Sequence, residues 1–429
     1  MKNYNKPMVG QSWLALAANL LLIVFGSLLP GAEPSVSTPW KIGAPIITYW
    51  FGPPLTDAVA QQMAEGGWNL VWCTSEEQLD VAQRHGLRAM LQNPLFSPRH
   101  TPAVLDDPAQ REKLDALIKR VRNHPALYCY HVIDEPGTKY FPELRRLVAY
   151  LRQQDPAHMA FINLLPTYAR NDQLGTNGDT VPAYQEYLNQ YMKTVQPALV
   201  SYDHYQFANP GDLPEYFLNL ALIRRAAQDS GVPFLNIVQA CSWGSSKRIP
   251  NGDEMRYLVY TTLAYGGQGI SYFVYLAAGD LSGAIARPDG TPTELYHALK
   301  PLNHEFVAIA KEVEPLRSLA VYHTGMKPPG AEPLPARAPF RLDPPQASLA
   351  YQPRERVRGI MLGYFGATDK PSHVLVVNLD YKLEMVAPLV GPGSLETFDA
   401  GSGVWMAAAG KVAKLSLPPG GGKLVRVRP

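Results

Sequence analysis

Residues Ala126-Leu-Tyr-Cys-Tyr-His-Val-Ile-Asp-Glu-Pro136 carry the clearest fold signal in the chain. The apolar run from Ala126 to Ile133 has the length and composition of a buried β-strand. An Asp-Glu pair follows directly, and Pro136 favours an extended conformation at Glu135 over a turn into helix. This segment therefore predicts a strand whose last positions are carboxylates.

The same order, a short apolar run followed by a longer amphipathic one, repeats on both sides of this segment. The predicted strands are Ile46 to Phe51, Asn69 to Cys73, Leu87 to Gln92, Ala126 to Ile133, Met159 to Leu164, Leu199 to Tyr205, Phe234 to Gln239 and Ile270 to Leu276. The clearest predicted helices are Asp107 to Val121, Pro142 to Gln154, Ala183 to Gln196, Leu213 to Asp229, Asp253 to Tyr265 and Glu294 to Glu314. Eight strand–helix units predict an α/β protein with a (β/α)8 TIM barrel, over residues 40–320.

The sequence changes character after the predicted barrel. Residues 321–356 are rich in Pro, Arg and Ala, which is typical of a linker or a surface-wrapping segment. Residues 357–429 contain short alternating runs separated by Gly, Pro and Asp clusters. This pattern predicts a small C-terminal antiparallel β-sandwich.

The N-terminus has the order of an export signal. Lys2 and Lys6 precede an apolar stretch from Trp13 to Leu29, and small residues follow it. We therefore expect residues 1–32 to be a signal peptide, with an uncleaved membrane anchor as the alternative. Either way the protein is expected to be exported, to the periplasm, the cell surface or the medium.

Composition argues against several classes of partner. The formal net charge is +2 and charged residues make up 18% of the chain, so no basic field is available for nucleic acid. The chain shows no ligand spacing for a metal and no Gly-rich loop for a nucleotide, so we expect neither metal nor cofactor. The cysteines Cys73, Cys129 and Cys241 are predicted to be buried free thiols. The oligomeric state stays open.

The polar residues that matter for chemistry should lie at the ends of the predicted strands, because the active site of a TIM barrel is built there. Taken in chain order, the candidates are Tyr49, Trp50, Trp72, Gln92, Asp134, Glu135, Asn163, Tyr202, Asp203, His204, Gln239, Trp243 and Tyr272. Aromatic faces with a few converging polar groups suit a sugar ring and its hydroxyls. The candidates therefore predict a carbohydrate as the substrate.

Glu135 fits the role of the acid in glycoside cleavage, in which a protonated carboxyl delivers a proton to the leaving oxygen. An Asp-Glu-Pro triplet also occurs at helix N-termini, where acids favour the helix dipole. Here the apolar run leads directly into the triplet, which favours catalysis over helix capping.

A glutamate followed by proline at the fourth strand resembles the acid/base motif of the large clan of barrel glycosidases. Members of that clan commonly have Asn-Glu-Pro there and a nucleophilic glutamate at the end of the seventh strand. This chain has Asp134 in place of the Asn, and its seventh strand ends in Gln239-Ala-Cys-Ser-Trp243 without a carboxylate.

The Asp-Glu pair is similar instead to that of substrate-assisted hexosaminidases, including β-N-acetylgalactosaminidases. In that family the 2-acetamido oxygen of the substrate is the nucleophile. The resemblance implies that Asp134 stabilises the amide, that Glu135 is the acid and then the base, and that Tyr202 could bind the acetamido oxygen.

Asp203 is another candidate for the second catalytic group. It could activate water in an inverting reaction, or be a nucleophile if its carboxyl lies within about 5–5.5 Å of that of Glu135. It could equally orient His204 or Tyr202 through a hydrogen bond.

The sequence thus favours a glycoside hydrolase with Glu135 as general acid/base. The alternative is a catalytically degenerate barrel that acts as a glycan-binding or cell-envelope protein, because fold alone does not fix function.

Overall fold

The computed structural model describes residues 45–429. The predicted signal segment, residues 1–32, lies outside this range. Among the described residues, eight parallel strands form one sheet. They are β1 (Ile46–Trp50), β2 (Leu70–Cys73), β3 (Arg88–Gln92), β4 (Leu127–Asp134), β5 (Met159–Leu164), β6 (Val200–His204), β7 (Phe234–Gln239) and β8 (Gly269–Phe273). The strand order β1-β8-β7-β6-β5-β4-β3-β2 is that of a barrel.

Asn69 joins the two ends of this sheet. Its side-chain oxygen accepts from the Ile47 backbone amide at 2.9 Å, and its backbone amide donates to the Ile47 carbonyl at 3.0 Å. Strands β1 and β2 are therefore tied together although the regular ladder does not continue between them. The predicted (β/α)8 barrel is confirmed.

Helices surround the barrel and connect its strands. They are α1 (Asp57–Glu65), α2 (Glu76–Arg84), α3 (Pro108–Val121), α4 (Phe141–Gln154), the single turn α5 (Asn171–Leu174), α6 (Thr180–Val195), α7 (Tyr216–Asp229), α8 (Gly252–Ala264) and α9 (Glu294–Val313). Helix α8 begins with a capping box, in which the Asn251 side chain accepts from the Glu254 amide at 3.0 Å. The Glu254 carboxylate accepts from the Asn251 amide in return.

Successive residues of each strand point to opposite faces of the barrel wall. One set fills the barrel interior, and Leu70, Cys129 and Leu235 belong to it. The other set packs against the helices, and Val71 and Tyr130 belong to that one. This alternation decides which residues at the strand ends can reach the mouth of the barrel.

Two antiparallel sheets follow the barrel and confirm the predicted β-sandwich. Their longer strands are β9 (Arg317–His323), β10 (Ile360–Gly366), β11 (His373–Asn378), β12 (Met385–Val390), β13 (Leu395–Asp399), β14 (Val404–Ala407), β15 (Val412–Leu417) and β16 (Gly422–Val427). The larger sheet has the order β9-β10-β11-β16-β13-β14, with the two-residue strand Glu332–Pro333 beside β9. The smaller sheet consists of Arg341–Leu342, β12 and β15. Both two-residue strands belong to the segment 321–356.

Strand β11 shows how the sandwich joins the barrel. Val374 and Val376 face the core between the two sheets, whereas Leu375 and Val377 pack into the cluster that lies between barrel and helices. The backbones also approach closely: a Cβ on Gly363 of β10 would lie 2.2 Å from the Ala264 carbonyl oxygen of α8. The sandwich and the barrel therefore share one continuous apolar core.

No helix within residues 45–429 has the length and hydropathy of a membrane-spanning segment. Between residues 45 and 429, no group of three or more His, Cys, Asp or Glu side chains could hold a metal ion. All three cysteines are buried free thiols.

Candidate active site

A bulge in β4 determines the direction of the Asp134 side chain, the first carboxylate of the site. The pairing of β4 with β5 shifts between His131 and Ile133, so that His131 lies opposite Phe161 but Asp134 lies opposite Asn163. Without the extra residue, strict alternation from the inward-facing His131 would turn Asp134 towards the helices. The bulge instead places Asp134 beside the inward-facing Asn163.

Glu135 follows in a left-handed backbone conformation, with φ of 44°. The expectation that it would occupy an extended position of the strand is therefore wrong. Its amide donates to the Asn163 carbonyl at 2.8 Å, and its carbonyl accepts from the Arg99 guanidinium at 3.3 Å. Such a conformation is unfavourable for a residue with a side chain, and residues under this kind of strain cluster at functional sites.

The side-chain amide of Asn163 connects the carboxylates. Its nitrogen donates to Asp134 Oδ1 and to Asp203 Oδ2, both at 3.0 Å. Its oxygen accepts from the Ser201 hydroxyl at 3.2 Å. These partners fix the orientation of the amide, because a flipped amide would set its oxygen against two carboxylates. Asn163 thus holds three acidic residues together through its side chain and its backbone.

The pKa values of these acids are raised, chiefly by burial. Burial and the neighbouring Asp134 raise the pKa of Glu135 to about 7, against a smaller lowering by a hydrogen bond with Asp203 and by Arg99. Burial raises the pKa of Asp134 as well, opposed by the Asn163 hydrogen bond and Arg99. Burial, Glu135 and Asp134 hold the pKa of Asp203 well above its usual range. Each shift favours the protonated form of its carboxyl.

Two of the predicted tryptophans form an aromatic layer inside the barrel. The rings of Trp50 and Trp72 lie 4.9 Å apart, edge to face. The His131 ring packs against both of them, and burial lowers its pKa to about 3, so it is neutral. The Trp72 indole nitrogen donates to the Tyr49 carbonyl at 2.6 Å.

Other predicted residues lie away from the carboxylates. Tyr49, Tyr202 and Tyr272 are fully buried in the layer between strands and helices, and the Tyr272 hydroxyl donates to Asn303 of α9 at 2.8 Å. His204 faces the same layer and pairs through Nδ1 with the Asn219 side chain at 3.0 Å. Direct contact of these side chains with a substrate in the mouth is therefore not possible without rearrangement.

Gln239 and Gln92 have contrasting surroundings. The Gln239 side chain is buried and bonds to the backbone of Phe207, Cys241 and Arg248. Strand β7 therefore ends in a neutral side chain that holds two loops together. Gln92 ends β3 with an exposed side chain, which leaves it free to meet a ligand.

One wall of the mouth is aromatic. Beside the predicted Trp243 it contains Tyr168, Tyr205 and Phe273, which were not among the predicted site residues. The Tyr205 ring lies 5.0 Å from both Trp243 and Phe273. Asp203 and Glu135 raise the pKa of the nearby Tyr168, after the larger effect of burial. Tyr205 and Phe273 could have been found from the sequence, because each is the next inward position at its strand end; nothing in the pattern marks Tyr168.

Lys247 adds positive charge beside this wall, and Arg99 adds positive charge near Glu135, to whose carbonyl it donates. The Lys247 ammonium lies 5.5 Å from the ring centre of Tyr168 and 5.8 Å from that of Trp243. It also donates to the Tyr205 carbonyl. Burial, followed by Arg354, lowers the Lys247 pKa to about 8. The mouth thus combines an aromatic wall, two cations and an acidic trio of Asp134, Glu135 and Asp203, which is suited to proton transfer on a ligand with a flat face and hydroxyl groups.

Solved structures with a similar fold are glycoside hydrolases of low sequence identity. A glycoside hydrolase family 5 protein from Bacteroides vulgatus is 11% identical, with a TM-score of 0.51 over 90% of this chain and 94% of that chain. A second structure, described as a glycoside hydrolase, is 13% identical, with a TM-score of 0.49 over 88% and 91% of the two chains.

A β-galactosidase from Marinomonas ef1 is 12% identical, with a TM-score of 0.46 over 63% of this chain. The chain spans only 60% of that enzyme's length. No protein-family model matches the chain, and no curated protein does either. At such identities the likeness to the Bacteroides vulgatus protein shows the fold, and the chemistry has to be argued from the site itself.

Proposed function

We propose that this protein is a glycoside hydrolase in which Glu135 is the general acid and then the general base. One observation carries the proposal: a carboxyl at the mouth of the barrel has its pKa raised to about 7 by burial and by a neighbouring acid. A carboxylic acid that is half protonated at neutral pH can both give and take a proton there. From the N-terminal pattern we also propose that the protein is exported.

The acid would protonate the glycosidic oxygen while the sugar centre gains positive charge. Asp134, which is partly exposed beside Glu135, can face that centre or a group attached to it. Trp243 and Tyr205 offer faces on which a sugar ring can pack. The site therefore has a proton donor, an anionic neighbour and a ring platform, which are the parts that the cleavage needs.

We further infer, from the resemblance of the Asp-Glu pair to that of hexosaminidases, that the substrate carries a 2-acetamido group. In this scheme Asp134 orients the amide. Tyr202 is buried away from the mouth, so it does not serve as the partner of the acetamido oxygen. A panel of aryl glycosides with and without the 2-acetamido group tests the scheme, and faster turnover of the sugars that lack the group would contradict it.

The Glu135→Gln variant tests the acid/base role. Loss of a positioned general acid or base lowers kcat by about 10²–10⁴, while binding of the sugar should survive because the amide is isosteric with the carboxyl. Glu112→Gln, on the exposed face of α3, is the matched control and should leave kcat unchanged. Unchanged turnover in Glu135→Gln would remove Glu135 from the mechanism.

The absence of a carboxylate at the end of β7 favours a second candidate, a barrel that binds glycans without cleaving them. The buried Gln239, bonded to the backbone of three residues, occupies that place. In this case wild type and Glu135→Gln would bind the same oligosaccharide equally well, and neither would release a product.

A further inference from the structure

Asp203 is the most deeply buried member of the acidic trio, with 3% of its surface exposed. Its Oδ2 accepts from Asn163 at 3.0 Å. Its Oδ1 is buried and meets no N–H or O–H donor among residues 45–429. An ionised carboxylate with one bare oxygen in such surroundings is strongly disfavoured.

No cation compensates a charge on this carboxyl. Asp203, Glu135 and Asp134 take part in none of the ion pairs found between described residues. The Asp203 and Glu135 side chains also lie close enough to affect each other's pKa by hydrogen bonding, which lowers that of Glu135 and raises that of Asp203. Two carboxyls in such contact cannot both be ionised, so one proton must lie between them.

Burial and charge decide which carboxyl keeps the proton. Glu135 is partly exposed and lies near Arg99, which favours its ionised form. Asp203 is enclosed and is repelled by both other acids. We propose that Asp203 is held as a neutral carboxylic acid that donates its proton to the Glu135 carboxylate, and that it positions Glu135 instead of acting as a nucleophile or base.

The closeness of the two carboxyls agrees with this assignment. Carboxyl pairs that flank a glycosidic bond are separated by about 5–5.5 Å in retaining enzymes and about 6.5–9.5 Å in inverting ones. Two carboxyls that share a hydrogen bond leave no room for a sugar or a water between them. The nucleophilic and water-activating roles considered for Asp203 from the sequence are therefore disfavoured by geometry.

The pH dependence of this pair is set by the groups around it. These come from the strand ends, the loops and helix α6 packed around β6, and they are Glu135, Asp134, Arg99, Tyr168, Tyr184, Tyr205 and Lys247. The tyrosines have pKa values raised by burial, so they are neutral when the carboxyls titrate. Within this set, the acids therefore titrate against one another and against the two cations.

The proposal rests on the proposed acid/base role of Glu135 for its meaning in catalysis, but infrared spectroscopy tests it without turnover. Wild-type protein at neutral pH should show, beside the half-protonated Glu135, a second protonated side-chain carboxyl whose band disappears in Asp203→Asn. Asp155→Asn removes an aspartate that is equally buried, at 3% exposure, but whose pKa is lowered. That control should leave the band unchanged. A wild-type spectrum without this second protonated carboxyl would overturn the proposal even if Asp203→Asn failed to fold.

The pH profile of kcat/KM gives the second readout. Asp203→Asn keeps a neutral donor, so the basic limb should move little and the plateau should fall by less than about tenfold. Asp203→Leu removes the donor that stabilises ionised Glu135, so its basic limb should move to higher pH. A basic limb that moves to lower pH in either variant would show that Asp203 is ionised in the wild-type protein, and would overturn the proposal. A plateau lowered by about 10²–10⁴ in Asp203→Asn would overturn it as well. If Glu135→Gln keeps its activity, the proposed function fails, whereas the infrared result still decides the state of Asp203.

Discussion

Glu135 combines an unfavourable backbone conformation with an unfavourable charge. Its φ is 44°, and its pKa is raised from 4.5 to about 7. Ionisation of such a group destabilises the folded state, because the unfolded chain releases the same proton at lower pH. The free energy of unfolding is therefore highest at low pH. It falls as pH rises from about 4.5, the ordinary pKa of the group, to about 7, its pKa in the folded protein.

The first prediction follows from the raised pKa of Glu135, which makes its ionisation destabilising. Glu135→Gln should be more stable than wild type at pH 8 by about 1–3 kcal/mol, because it never takes the charge. At pH 4.5, where the carboxyl is protonated, the difference should be small. Thermal unfolding of both proteins at the two pH values checks this. An equal difference in Tm at both would attribute the effect to something other than ionisation.

The second prediction concerns activity. In the proposed mechanism cleavage needs protonated Glu135, so kcat/KM should fall as pH rises above about 7, the pKa of this carboxyl. Asp134→Asn removes the negative charge that helps to raise that pKa, and its basic limb should move to lower pH. Profiles measured with an uncharged aryl glycoside check both statements, and coincident limbs would contradict the second.

Single residues also show how far the sequence could predict the site. Asp134, Glu135, Asn163 and Asp203 follow from reading the strand ends for polar groups, and the structure brings all four together. Reading strand ends without the direction of each side chain also selected Tyr202, which points to the helices. The direction depends on strand register, which no single residue type reveals.

Among the strands and loops, the bulge in β4 explains the most serious gap between sequence and structure. The apolar run predicts the strand, but His131, Val132 and Ile133 carry no sign of an extra residue. The shift arises from the pairing of two strands that are distant in sequence, so local pattern cannot show it. Strand and helix bounds were predictable to within a few residues because burial and helical periodicity are local properties.

The loop after β7 is the element on which the aromatic wall depends. Arg248 anchors this loop: it pairs with Glu254 at 2.7 Å and with Asp212 at 3.4 Å. Asp212 also accepts from the Tyr381 hydroxyl of the sandwich at 2.7 Å. The loop that carries Trp243 is therefore fixed to α8 and to the sandwich.

Arg248→Met should loosen this loop, which is the third prediction. We expect a loss of about 2–3 kcal/mol in unfolding free energy, less than for a fully buried pair because the Arg248 side chain is 30% exposed. KM should rise as well, because Trp243 loses its support.

The control for this change is Arg170→Met. Its pair with Asp172 is largely exposed, so the change should alter stability by no more than about 0.5 kcal/mol. Denaturant unfolding and steady-state kinetics of both variants make the comparison. Equal effects of the two changes would mean that the Arg248 network does not anchor the loop.

In the protein as a whole, the barrel and the sandwich share a core. Leu375 and Val377 of the sandwich belong to the same apolar cluster as the barrel helices. Residues that lie between two parts in this way couple their unfolding. We therefore expect residues 45–429 to unfold in one calorimetric transition.

Gly363→Ala tests this coupling and is the fourth prediction. The new Cβ would lie 2.2 Å from the Ala264 carbonyl oxygen, so β10 and α8 must separate, at a cost of about 1–3 kcal/mol. The whole transition should move to lower temperature. Gly401→Ala, where the nearest atom would lie 3.4 Å away, should leave Tm unchanged. A second, separate transition in Gly363→Ala would show that the two parts unfold independently.

The three buried cysteines can report how fast different parts of this molecule open. Burial raises the pKa of Cys73 and of Cys241 to about 12, and raises that of Cys129 as well. Alkylating reagents attack the thiolate, so each thiol stays unmodified until its surroundings open. Cys73 ends β2, Cys129 lies inside β4, and Cys241 follows β7. Their separate rates of alkylation would time the opening of the barrel seam, of the strand that carries the acids, and of the loop beside the aromatic wall, without any added label.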